Sequence, residues 1–210
     1  DDFDEFIHGR FGPYADHYLT MLQASESLTD GLKYIYYNAQ TDFTFQYPLM
    51  LAAISPDDNS DTAERKMRLV SGFCDIYIAR RACNQKAMRY TAIRRSMFNL
   101  MLAIRHLDAQ TLADYLRTEV DTMEEDFSGF ADFRLNHMSM RFVHHILARM
   151  TAWLEEQCGV ESSFETYVSR DIKDRFQIEH IWAEKYEYHE DEFDAVEEFE
   201  NQRARAGGLL

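Results

Sequence analysis

Glu179 and His180 stand side by side between apolar flanks in the stretch DRFQIEHIWAEK, residues 174 to 185. A carboxylate beside a neutral imidazole has a definite use in phosphodiester hydrolysis: the acid holds a divalent ion on the scissile phosphate, and the ring takes a proton from water. In a regular strand adjacent side chains point to opposite faces, so the pair converges only where the strand ends or bends. A half-buried histidine next to a surface glutamate would look the same in sequence. Two residues alone leave both readings open.

Two other groups have chemistry-bearing side chains. Arg80-Arg81 and Arg94-Arg95 fall near the ends of successive helical segments and can gather an anion, nucleic-acid phosphate included, or carboxylates of another domain. His137, His144 and His145 share one helical segment with Arg141. Metal binding by helix histidines needs two of them four residues apart on one face; His137 and His144 are about 10 Å apart along the axis, which argues against a metal.

The elements that must position these residues are helical. Three prolines, eight glycines and apolar residues spaced three and four apart over 210 residues predict a mainly α-helical, multi-helix bundle. YADHYLTMLQAS and SLTDGLKYIYYNAQ read as the first two helices, and Pro48 suits the first turn of a third. After the turn-forming SPDDNS, Asp61 with Glu64 resembles a capping box that opens a long helix to about Cys83, with a core stripe of Met67, Val70, Phe73, Cys74, Tyr77 and Ile78. Asp108 caps a later helix, and Gly159 stops the one that carries the histidines. From Glu161 the character changes: Phe176, Ile178, His180 and Trp182 alternate, predicting a short strand over 176–181, and Phe193, Val196 and Phe199 then return to helical spacing. The expected division is a helical bundle over 1–160 and a second domain over 161–210.

Charge is segregated. The chain carries −15 overall, which argues against a generic nucleic-acid binder. Yet between Glu64 and Arg105 ten basic residues face two acidic ones, a net of +8 that leaves −23 for the rest. An intramolecular role for these bases, against acidic neighbours, is favoured over an open nucleic-acid face. The spacing of Cys74, Cys83 and Cys158 predicts free thiols and fits a reducing cytoplasm; no apolar run approaches the roughly 20 residues of a membrane span. The opening DDFDEFIHGR has no methionine and the close ARAGGLL is a good strand entry, so the chain reads as part of something longer.

QIEHIWA resembles the start of the HNH, or ββα-metal, nuclease motif, and FENQRARAGGLL is similar to the Gly-Gly-Leu-Leu segment that follows it in that family. FTFQYPLMLAAI, RKMRLVSGFCDIYIARRA and YTAIRRSMFNLMLAIR resemble the helical middle of GmrSD-type proteins (domains of unknown function 262 and 1524). The resemblance implies a prokaryotic anti-phage restriction factor in which a nucleotide-hydrolysing domain precedes a helical region and a C-terminal HNH endonuclease. It makes His180 the general base and Glu179 the metal-side carboxylate, with Mg²⁺ or a similar divalent ion as cofactor and DNA as substrate. Trp182-Ala183 departs from the proline common in such motifs, and Ala204 and Ala206 stand for the family's Asn and Ile. The motif's last helix would follow Leu210, so this stretch by itself is expected to be inert and to bind no metal. The alternative is a non-catalytic helical interaction module in which Glu179 and His180 merely end a strand.

Overall fold

Pro13 lies in the first turn of α1 (Gly12–Glu26), where its missing amide has no helical partner to lose. The structure, a computed structural model, describes residues 4, 6–136, 140–161, 164–169, 173 and 176–209. These are mainly α-helical, with no sheet among them. Among the described residues no helix is long and apolar enough to cross a membrane.

Backbone contacts divide the chain into two compact units. The first comprises residues up to Ile78 together with Ala87–Glu124. Its helices are α1, α2 (Lys33–Gln40), α3 (Gln46–Ala53), most of α4 (Ser60–Cys83), α5 (Tyr90–Ile104) and α6 (Ala109–Thr122). α2 begins later than its apolar spacing predicts because Gly31 takes φ +75°, a left-handed turn that interrupts the helix. The predicted stripe on α4 is buried along its whole length, from Met67 to Ile78, and each large apolar side chain so enclosed contributes about 1.5–3 kcal/mol. Two buried amides in this core are half-satisfied: the Asn38 side-chain NH2 donates to the Ser71 carbonyl at 3.0 Å and that of Gln46 to the Ile35 carbonyl at 3.2 Å, while their side-chain oxygens accept no hydrogen bond among the described residues.

The expected capping box at Asp61 does not form. Asn59 caps α4 instead, its side-chain oxygen accepting from the Thr62 amide at 2.8 Å, while Glu64 turns outward to Arg68 at 2.7 Å. Asn and Asp cap about equally well, and the loop geometry selects between them. Asp58 is then free to accept from both the Ser55 amide and the Lys66 ammonium, each at 2.7 Å. Lys66 is only 2% exposed. Its place four residues before Val70 and seven before Phe73 puts it on the buried stripe, a signal that periodicity carries and that residue type obscures. At α6, Asp108 caps as predicted, accepting from the Gln110 and Thr111 amides.

The second unit joins Ala79–Lys86, the end of α4 and the turn after it, to the residues from Glu125 onward. α7 (Met140–Gln157) closes as the sequence predicts: Gly159, at φ +71°, lets its amide reach Glu156 and that of Val160 reach Glu155. α8 (Phe164–Tyr167) and α9 (Val196–Arg203) are short. Phe133, Val143 and Leu209 form a core with Phe142, Ile146 and Ile178 against it.

The predicted strand over 176–181 is reduced, among the described residues, to one antiparallel bridge between His180 and Leu209. A ladder needs successive pairs, and the 3₁₀ turn Ala206–Gly208 turns the partner chain aside before Leu209. The alternation survives in part: Ile178, His180 and Trp182 are half-buried and Gln177, Glu179 and Ile181 exposed, but Phe176, expected on the inner side, is 49% exposed. Val196 does not share the stripe of Phe193 and Phe199. It is 54% exposed, because helical spacing starts only at α9 and the preceding Ala195 is extended.

Candidate functional site

The chain after α9 is held by backbone pairing at both of its ends. On one side the Leu135 amide donates to the Ala204 carbonyl at 2.7 Å and Arg134 bridges Arg205; on the other the Ile181 amide donates to the Gly208 carbonyl at 2.9 Å and His180 bridges Leu209. The Glu-His and Gly-Gly-Leu segments, remote in sequence, therefore lie side by side. Gly208 permits this approach. A Cβ there would sit 2.9 Å from the Trp182 ring and 3.1–3.2 Å from the carbonyls of Gln202 and Arg203, inside ordinary contact distance.

A second set of contacts fixes the acidic turn between these segments. Trp182 meets Phe193 edge-on at 5.9 Å, Phe193 meets Phe199 at 5.5 Å, and His189 stacks on Phe199 at 5.2 Å. The Tyr186 hydroxyl donates to the Phe193 carbonyl at 2.9 Å. Phe199 is fully buried as a result, so this run of carboxylates is anchored by its aromatic residues. The Arg203 side chain reaches back to the Trp182 carbonyl at 3.4 Å.

His180 sits half-buried at the edge of this assembly, and Glu179 is exposed. Burial lowers the His180 pKa below the ordinary imidazole value and the Arg203 charge adds to the effect, while Glu179, Glu200 and Glu184 oppose it. The ring is therefore neutral at neutral pH, the state in which it can accept a proton. Among the described residues no three His, Cys, Asp or Glu side chains gather closely enough to hold a metal ion. Glu179 does not by itself make a divalent-ion site.

Comparison with family models, curated proteins and solved structures finds nothing that matches this chain.

The remaining candidates fall into different surroundings. Arg81 pairs with Glu125 at 2.9 Å in a largely buried ion pair, and Arg80 lies over the Phe127 ring at 5.4 Å with Asp126 near enough to feel its charge. Both belong to the second unit; Arg94 and Arg95 are exposed on α5 in the first. His137 lies outside the described residues. His145 is a core residue, edge-on to Phe164 at 5.7 Å, and burial brings its pKa down to about 3, with Arg149, His144 and Arg141 adding to the shift. Sequence reasoning missed the proximity of Arg203 to His180 and the Lys66–Asp58 pair.

Proposed function

We propose that this chain is the helical region and the opening part of the nuclease module of a GmrSD-type, DNA-targeting defence protein, with His180 as general base. The observation that carries the reading is the pairing of His180–Ile181 with Gly208–Leu209. The two stretches that resemble successive parts of the HNH motif are neighbours in space, and the first carries a neutral, partly exposed imidazole. In this reading His180 takes a proton from the water that attacks the phosphodiester phosphorus. Arg203 and the backbone bridge hold the segment on which the imidazole is mounted. Glu179 contributes one ligand of a divalent ion such as Mg²⁺, the rest of the set coming from residues not gathered among those described. DNA is the substrate, and a nucleotide-hydrolysing domain is the companion that the resemblance implies.

The test is cleavage of plasmid DNA by the full-length protein with Mg²⁺ or Mn²⁺ and with the ion chelated. Ion-dependent nicking or linearisation is the expected result; intact plasmid under all conditions, from a protein shown to be folded, counts against the reading and leaves the non-catalytic helical module in its place.

A further inference from the structure

In the first unit a groove of about 540 Å³ opens between α3 and α5, floored by Pro48, Leu51, Phe98, Met101 and Leu102, with Arg105 and His106 at one end. Phe98 is 48% and Leu102 67% exposed, although both are large and apolar. The groove's polar edge is accounted for: the Tyr14 hydroxyl donates to the Ile54 carbonyl at 3.1 Å. His106 takes φ +61°, a left-handed backbone uncommon for a residue with a side chain, and so turns the chain sharply beside the groove.

On the α5 side of this groove the charge has one sign. No Asp or Glu occurs between Asp75 and Asp108, in a chain of net charge −15. Asp108, the first acid after the groove, is engaged in capping α6. Arg94 on α5 precedes Arg105, the residue that caps the end of that helix, by three helical turns, so the two fall within about 20° of each other around the axis and about 16 Å apart along it. Phe98, Met101 and Leu102 lie between them on that same face. The pattern is an apolar strip on α5 with a cation at each end: Arg105 lines the groove, and Arg94 lies one helical turn beyond Phe98.

We propose that this groove docks an acidic amphipathic helix of a partner protein, about three turns long, with apolar side chains entering between Phe98 and Leu102 and carboxylates meeting Arg94 at one end and Arg105 at the other. Charge complementarity sets the sign of the partner, and the apolar floor sets its kind. A phosphate backbone would satisfy the arginines and leave Phe98, Met101 and Leu102 wet. An anionic membrane would repel the strongly acidic remainder of the chain, and a flat bilayer does not fill a concave groove. A helix laid in the groove covers the floor and neutralises both ends. The inference stands apart from the nuclease reading.

Fluorescence anisotropy on the 210-residue chain tests it. The probe is a labelled helical peptide of about sixteen residues with leucines three and four apart on one face and glutamates elsewhere. Saturable binding is expected, weakened at least about tenfold by Leu102→Asp and likewise by Arg94→Glu with Arg105→Glu. All three side chains are exposed, so circular dichroism and the melting temperature should not move. A scrambled peptide of the same composition should bind at least about tenfold more weakly. Equal binding of the scrambled peptide, or no saturable binding, overturns the proposal. So does tighter binding of a short DNA duplex or of phosphatidylserine vesicles through the same residues, which would assign the face to nucleic acid or lipid.

Discussion

His180 and Leu209 form an antiparallel bridge at the edge of the second unit's core, with Leu209 only 4% exposed and His180 open to water on one side. One residue anchors the pair in the core and the other presents a ring to solvent. An imidazole needs both, fixed position and access, to act on water.

The bridge depends on Gly208. In Gly208→Ala the new methyl meets the Trp182 ring and two carbonyls of the turn after α9, two of the three being backbone that cannot step aside. The expected cost is about 1–3 kcal/mol, with faster hydrogen exchange at the Ile181 amide, whose acceptor is the Gly208 carbonyl. Unchanged exchange at Ile181 would show that the close approach does not need glycine.

Lys66 and Asp58 should respond unequally to substitution. Asp58→Ala leaves a 2%-exposed ammonium without its carboxylate and should cost about 3–5 kcal/mol; Lys66→Met keeps the volume, removes the buried charge and should cost less than about 2. Urea melts of the two variants give the comparison. Equal losses would mean that packing, not the buried charge, dominates there.

His145 gives stability a pH dependence of known sign. Its folded pKa of about 3 lies below the unfolded value of 6.5, so between these limits the unfolded chain binds more protons. The contribution is complete above pH 6.5 and is lost as the pH falls toward 3, on the order of 3 to 5 kcal/mol over the window. Denaturant melts from pH 7 to 4 should show His145→Leu losing less stability on acidification than the parent. Parallel curves would place the acid sensitivity elsewhere.

The three cysteines are free, Cys74 and Cys83 buried and Cys158 exposed just past α7. Burial raises the Cys74 thiol far above its ordinary pKa, and Cys83 shifts the same way. A thiol reagent should label Cys158 at once in the native chain and the other two only on unfolding. Prompt labelling of all three would contradict the enclosed core around α4.

The helices were legible where one residue type decides a local contact or a long period repeats. The stripe from Met67 to Ile78, the cap at Asp108 and the stop at Gly159 all follow from nearest-neighbour chemistry, and each is where the spacing puts it. The α4 cap shows the limit of that reasoning: Asn59 and Asp61 are both good caps two residues apart, and only the fold of the loop, with Asp58 turned to Lys66, chooses between them. At the candidate site the sequence identified Glu179 and His180 and the alternation from Ile178 to Trp182, yet misplaced Phe176 and overextended the strand. Strand pairing is decided by the partner chain, and here the turn at Ala206–Gly208 leaves one bridge. Arg203 came within reach of Trp182 only through that fold.

The most direct measurement is DNA cleavage by the full-length protein carrying His180→Ala, read beside its melting temperature. Loss of divalent-ion-dependent cleavage by at least about a hundredfold is expected with a nearly unchanged melting temperature, because a partly exposed ring contributes little packing. Cleavage at the parent rate, or a variant that melts far lower, would assign His180 to structure and contradict its role as the base.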